Sequence, residues 1–448
     1  MSDDASTLHE PPAPSYREIL RFYYPLALSW LFMAMEMPIA SAVTSHSDQP
    51  KIQAAALLLM MGLALFLESP VIDLLSTSTT LTKTRGDFLV IRRFALWMMV
   101  TCVVAHLVFC LTPLYDWVTL SVLGIPKPVA EATWLPMLIM LPWSPAIGWR
   151  RFLQGILIRA GQTRRIGFGT SIRVGTIGLV CFGLYFTTDL AGIVIAAIAL
   201  SLSVTAESVF IHFASRPILR EKFDYETEPP TEPPVDMAKL KRFHFPLTAT
   251  TITFMTTIPL VGAALAQTSD GVLAMAAWQV SSSLAFLHRT VVFALPEPII
   301  ALYKGPNSAR KLGRFCLTVG AGSAALMLLA AAFGAERYVF LNAYGAPADV
   351  TIQASLAYLA CFSLPVIGAF QSYLRGMLTA HHLTVARLGA ILAYTVTLVV
   401  LLGVGIVLEW PGVWVAAVAS TGSAIAEVGV LAGSWQKAKR RGLALSPA

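Results

Sequence analysis

Charge is what this chain has least of. Of its 448 residues only 13% are Asp, Glu, Lys or Arg, against about 25% in soluble proteins, while 56% are hydrophobic and the mean hydropathy is +0.68. Cysteine is scarce too. Cys102, Cys110, Cys181, Cys316 and Cys361 lie in or at the ends of apolar segments and form no CxxC pair. They read as packing thiols, not as disulfides or metal ligands. No GxxxxGK(S/T), HExxH or GxSxG motif occurs, so the common signatures of ATPases, zinc proteases and serine hydrolases are missing and an enzyme is not expected. No polar stretch is long enough to bury a core of its own; the longest internal one is Arg216–Arg242. The first residues, MSDDASTLHEPPAPS, are acidic and contain proline, with no basic n-region or cleavage site. They read as a cytosolic tail, not a signal peptide.

What is present is a succession of apolar runs from Leu20 to Ser434, each long enough to cross a bilayer as a helix of about 20 residues. The expected fold is an all-α polytopic membrane protein of twelve spans: 19–43, 52–80, 88–113, 132–158, 166–187, 190–212, 243–266, 272–303, 311–334, 348–378, 384–408 and 411–436. The formal charge of +7 is a matter of topology, not of nucleic-acid binding. Lys83 to Arg93, Arg159 to Arg165, Arg216 to Arg242, Lys304 to Arg314 and Lys437 to Arg441 fall on alternate connections, whereas the opposite ones hold only Lys51, Lys127 and Arg337. Positive residues stay on the cytoplasmic side, so both termini are expected in the cytoplasm and the chain in the plasma (inner) membrane.

The chain repeats itself. RFYYPLA at Arg21 and RFHFPLT at Arg242 are 221 positions apart, and Pro38 and Pro259 keep that offset. RRFAL at Arg92 answers GRFCL at Gly313, and FLQGIL at Phe152 answers YLRGML at Tyr373. GIVIAAIA and GVWVAAVA each precede an Ala-Glu pair, ending at Glu207 and Glu427. LFLES matches AFLHR at an offset of 220, which sets Glu68 opposite His288. Two six-helix bundles of the same topology are implied, related by an axis along the membrane normal. The expected divisions are a tail (1–18), a first bundle (19–215), a charged, Pro-rich linker (216–241), a second bundle (242–436) and a basic tail (437–448).

Few charges remain inside the spans. Each costs roughly 2.5–3.5 kcal/mol on insertion scales and so marks a candidate site. In LAFLHRTVVFALPEP (Leu284–Pro298), His288, Arg289 and Glu297 are candidate substrate-binding groups. Glu36, Glu68 and Asp73 are candidates for a coupling ion or proton. Pro38, Pro259, Pro296 and Pro298 are candidate gating kinks, since proline removes a backbone donor. A pseudo-twofold axis would bring spans 2 and 8 together, so that Glu68 pairs with His288 or Arg289. Glu207 and Glu427 suit structural pairing with arginine. Arg150, Arg151 and Arg173 are expected to snorkel to the interface.

Twelve spans in a 6+6 arrangement, a long central linker and a proline in span 1 resemble the multidrug and toxin extrusion (MATE) type of the multidrug/oligosaccharidyl-lipid/polysaccharide flippase (MOP) superfamily. FLESPVIDL (Phe66–Leu74), His288 followed by Pro-Glu297, and GVWVAAVASTGSAIAE (Gly412–Glu427) are most similar to the progressive ankylosis protein family. That resemblance implies a V-shaped cleft between the bundles and export of polyanions such as pyrophosphate, nucleotides or citrate. Arg289 suits an anion better than a cationic drug. The chain departs from MATE patterns in two places. Span 7 has no acid and span 10 none beyond Asp349, which argues against the sodium site of some branches; span 1 carries Glu36 where proton-coupled branches carry aspartates.

The sequence therefore predicts a secondary active transporter, a monomer in the lipid bilayer, exporting small anions with H+ or Na+ as the coupling ion and no cofactor or metal. The alternatives are a MATE-type exporter of organic cations and a flippase for a lipid-linked headgroup.

Overall fold

Backbone polar groups cannot be left unpaired in lipid, which restricts a chain of this composition to helices. The structure, a computed structural model, describes residues 13–221, 235–381, 383 and 385–440. Among the described residues, ten helices are long and apolar enough to cross a membrane: α1 (Tyr16–Ser45), α2 (Pro50–Leu81), α3 (Arg85–Leu111), α5 (Thr163–Thr187), α6 (Gly192–Leu219), α7 (Met237–Ala266), α8 (Gly271–Leu302), α9 (Pro306–Ala332), α11 (Ala386–Val407) and α12 (Gly412–Arg440). Two interrupted helices complete the twelve, α4 (Lys127–Ile139 with Trp143–Arg159) and α10 (Ala348–Ala360 with Leu364–Ala380), the latter bent by 41°. The linker face carries the ends of α6 and α7, and the far face is the opposite one. Parts of the expected linker and of both tails lie outside the described residues.

Irregularities recur 221 residues apart. α2 breaks at Asp73 and α8 at Ala294–Leu295. α4 is interrupted at Met140–Pro142 and α10 at Cys361–Ser363. Gly124 and Gly345 both adopt positive φ, 63° and 69°, in far-face connections. The breaks have local causes. Pro70 leaves the Phe66 carbonyl without its helical donor, and the Ser69 hydroxyl donates to that carbonyl at 2.6 Å. Thr290 makes the same i−3 bond in α8, to the Leu287 carbonyl at 2.8 Å, although no proline follows it there. Gly155 and Gly376, the glycines of FLQGIL and YLRGML, let α4 and α10 press against α2 and α8. A Cβ at Gly155 would lie 2.7 Å from the Leu75 carbonyl oxygen, and one at Gly376 would lie 2.9 Å from Ile299.

The halves meet through α1, α2, α7 and α8. On the linker face they exchange arms. The first part of α1 buries Ile19, Tyr23 and Ala27 in a core built from α8, α9, α10 and α12, while α7 buries Leu240 in the core of the first half. On the far face the seam is bridged by Lys51 with Asp349, which form an ion pair, and by Gln279, which donates to the Ser41 hydroxyl at 3.3 Å.

Proline acts unevenly. α1 is interrupted at Met35, where Pro38 denies a donor to the Ala34 carbonyl. Pro259 sits inside an unbroken α7. Pro296 and Pro298 fall in the first turn of the segment after the α8 break; Pro296 denies a donor to the Val292 carbonyl, which accepts from the Ser372 hydroxyl at 2.8 Å.

Candidate functional site

The first half holds a buried network of opposite charges. The interruption at Met35 sets Glu36 at the start of a helical segment, 4% exposed. Its carboxylate meets the α5 guanidinium of Arg173, with one hydrogen bond of 2.5 Å. Arg150, in the second part of α4, ion-pairs with Glu207 of α6. Gln154, one turn on, donates to the other Glu207 oxygen at 3.3 Å, and Arg173 approaches Glu207 at 3.8 Å. The Trp143 ring faces the Arg173 guanidinium at 5.5 Å. Glu68 of α2 is 2% exposed, with Arg173, Arg150 and Arg151 as its cationic neighbours. Three carboxylates thus face three guanidiniums. The arginines do not snorkel as the sequence suggested. Arg150 and Arg173 are 4% and 6% exposed, held inside because opposite charges on neighbouring helices neutralise them there.

The second half reproduces part of this design with the parts exchanged. Glu427 of α12 accepts from Gln371 at 2.8 Å and from Arg375 Nε at 2.9 Å, with a further Arg375 contact. Gln371 stands where α4 has Arg150, and Arg375 where it has Gln154. The carboxylates keep their arginine, but from adjacent turns. Other positions diverge. The place of Glu36 is taken by Thr257 and that of Arg173 by Tyr394.

The expected pairing of Glu68 with His288 or Arg289 does not form. The Ser69 and Thr290 bonds and the helix breaks fix the register of α2 on α8 at 221, one residue from the offset suggested by LFLES and AFLHR. Arg289, not His288, is the counterpart of Glu68. The His288 ring turns into the second half, its Nε2 2.9 Å from the Tyr358 hydroxyl. Arg289 is partly buried with its guanidinium over the Phe293 ring at 5.9 Å, near Tyr394 and Cys361. It forms no ion pair among the described residues. Glu297 is exposed just after the α8 break, with Arg387 as its cationic neighbour. Asp73 sits at the α2 break, its Oδ2 buried without a hydrogen-bond partner and Arg151 nearby. Glu68 Oε2 is likewise without a partner.

Glu207 and Glu427 pair with arginine as the sequence suggested, but sequence reasoning missed the wider arginine network that takes in Glu36 and Glu68, and the exchanged arms. The signal for the first was present, since three arginines and three glutamates in adjacent apolar spans neutralise one another. Among the described residues no cluster of His, Cys, Asp or Glu could hold a metal ion.

The arrangement of breaks, repeats and shared central helices has counterparts of known structure. An inward-facing multidrug resistance MATE family transporter of the MOP superfamily superposes with a TM-score of 0.62 at 15% identity, over 92% of this chain and 98% of that one. The fold is that of the MATE transporters. A Vibrio cholerae MATE transporter, VcmN, in a mutant form, gives 0.61 at 16% identity over 95% and 97% of the two chains. A MOP superfamily transporter from Pyrococcus furiosus, described as having a binding pocket of reverse polarity that suggests a different function, gives 0.60 at 14% over 96% and 98%. No family model matches the sequence. No curated protein matches it either. Within the MATE fold, the two halves of this chain present unlike interiors: a neutralised charge network in one, and Arg289 among aromatic side chains in the other.

Proposed function

We propose that this protein is a secondary active transporter that exports small organic or phosphate-bearing anions by alternating access between its two halves. One observation carries the choice of anion. The carboxylates Glu36, Glu207 and Glu427 are all ion-paired with arginine, and Glu68 has Arg173, Arg150 and Arg151 as cationic neighbours. Among the described residues, Arg289 is a partly accessible cation on a central helix without a carboxylate of its own. A site of this kind favours a carboxylate or phosphate, which a guanidinium binds in bidentate fashion. The likeness to the progressive ankylosis protein family points the same way, and the Pyrococcus furiosus neighbour is described as a variant of this fold with reversed pocket polarity.

In this reading the linker face is cytoplasmic and the chain works as a monomer in the plasma membrane. Lys51–Asp349 and Ser41–Gln279 close the outer side and part during the cycle. Glu36, Glu68 and Asp73 handle the coupling proton or sodium ion. Proteoliposome flux of citrate, pyrophosphate and nucleotides is the test. Arg289→Ala should lose most of the flux and Arg289→Lys should retain part of it; undiminished flux in Arg289→Ala sinks the assignment. A second reading, export of organic cations, is favoured by the multidrug MATE neighbours and by the unpartnered Asp73 oxygen. It would be supported by drug efflux that falls in Asp73→Asn and survives Arg289→Ala.

A further inference from the structure

On the linker face, outside the central helices, a cavity of about 510 Å³ opens between the ends of α3 and α6. Among the described residues, Arg85, Arg92, Arg216 and Arg220 line it together with Phe88, Leu89 and Leu219, and no acidic side chain does. Two guanidiniums are held against rings, Arg92 over Phe88 at 5.6 Å and Arg216 over Phe213 at 4.7 Å. Both helices run on from the cavity along apolar stripes that the protein leaves exposed: Leu89, Leu96 and Val100 on α3, and Phe213 and Val209 on α6. In a membrane-spanning chain such stripes face acyl chains, so the four arginines stand where the acyl region gives way to headgroups.

Duplication supplies an internal control. If the cluster reflected only the general bias of basic residues to one face, the second half should repeat it. The equivalents of Arg85, Phe88 and Arg92 are Pro306, Ala309 and Gly313. The second half keeps basic residues on this face, among them Arg310, Arg314 and Arg440, the last being the counterpart of Arg220, but it lacks counterparts of Arg85, Phe88, Arg92 and Arg216, the last replaced by Gln436.

We propose that this cavity is a binding site for the headgroup of an anionic phospholipid. The phosphate sits among Arg92, Arg216 and Arg220, and the acyl chains lie along the exposed stripes of α3 and α6. Planar guanidiniums held over rings suit a phosphate diester, and basic groups at the membrane surface attract anionic lipids. The ligand is a lipid and not a free anion because the apolar stripes continue directly from the basic mouth.

The test uses the full chain purified in neutral detergent, with dihexanoyl phosphatidylglycerol, dihexanoyl phosphatidylcholine or inorganic phosphate added at equal phosphorus concentration. Thermal unfolding is followed and bound lipid is counted by native mass spectrometry. Phosphatidylglycerol should raise the unfolding midpoint by several degrees and phosphatidylcholine should not. The triple variant Arg92→Gln/Arg216→Gln/Arg220→Gln should lose that shift. Arg310→Gln/Arg314→Gln/Arg440→Gln, which removes the same charge from the same face, should keep it. Equal loss in both variants would reduce the effect to surface charge, and an equal shift with inorganic phosphate would make it a free-anion site; either result overturns the proposal, as does a full response in the first triple variant. If that variant does not fold, Arg216→Gln alone, at an exposed position, should at least halve the bound phosphatidylglycerol, and unchanged binding would also overturn it.

Discussion

The hydroxyl of Tyr23 donates to the backbone carbonyl of Val291 at 2.8 Å, tying the start of α1 to α8 in the opposite half. The second repeat makes the same crossing: His244 Nε2 lies 3.1 Å from the carbonyl of Pro70. Even the ring contacts are copied, with Tyr23 edge-on to Phe315 at 5.3 Å and His244 edge-on to Phe94 at 5.0 Å. The RFYYPLA and RFHFPLT segments are therefore the places where each half grips the other. His244 has a further partner, the Thr77 hydroxyl at 2.8 Å. Tyr23→Phe should cost about 1 kcal/mol, the net worth of one hydrogen bond. His244→Leu should cost more, because it leaves Thr77 and the Pro70 carbonyl unpaired in a buried place. Detergent melting curves check the order, and equal effects would contradict it.

The exchanged positions of Arg and Gln around Glu207 and Glu427 allow a swap experiment. Arg150→Gln removes the direct partner of Glu207, leaving only the longer Arg173 contact of 3.8 Å, and should destabilise by about 3 kcal/mol, the lower end of the usual effect of breaking a buried pair. Arg150→Gln/Gln154→Arg recreates the order found in α10 and should recover most of that loss. Thermal unfolding of the two variants beside the native chain decides; no recovery in the double variant would mean that the two helices are not interchangeable.

Glu36 and Glu68 share one electrostatic environment with Arg150, Arg151 and Arg173. Neutralising either leaves three guanidiniums facing two carboxylates. Both Glu36→Gln and Glu68→Gln should lower the unfolding midpoint, with Glu36→Gln the larger effect because it removes a direct ion pair to Arg173. A double-mutant cycle of Glu36→Gln with Arg173→Gln should show coupling of at least about 1 kcal/mol.

The far-face seam makes a conformational prediction. Lys51 and Asp349 are half-exposed, so their ion pair contributes little stability, but it joins the two halves. A Lys51→Cys/Asp349→Cys pair should cross-link under mild oxidation and stop transport, with reductant restoring it. The five native cysteines are buried and should not interfere. Full transport by the cross-linked protein would show that the seam does not open.

Two glycines separate backbone strain from steric effect at the same seam. Gly124 and Gly345 have nearly the same positive φ, but a Cβ at Gly345 would lie 2.6 Å from the His46 ring, while one at Gly124 would meet nothing nearer than Gln267 at 3.6 Å. Gly124→Ala should cost about 1–2 kcal/mol for the left-handed backbone alone. Gly345→Ala should cost the same and also displace His46, making far-face thiol probes at position 51 more reactive in a Lys51→Cys background.

The sequence by itself determined the class of fold. Apolar run length, the 221-residue repeat and the scarcity of charge prescribe two helical bundles in a membrane, because lipid leaves the backbone no other way to pair. It also marked Glu36, Glu68 and Arg289 as positions with a role, whereas the close helix contacts at the glycines of FLQGIL and YLRGML appear only in the structure. What it could not supply was which buried charges meet. A charged side chain on a helix can face any of several neighbours, and a shift of one residue turns it by about 100°. LFLES and AFLHR matched by letter at an offset of 220, and that single residue set the wrong histidine against Glu68. Only tertiary packing, through Ser69, Thr290 and the paired breaks, fixed the register. It turned Glu68 towards the arginines of its own half and left Arg289, on the partner helix, without a counter-charge among the described residues.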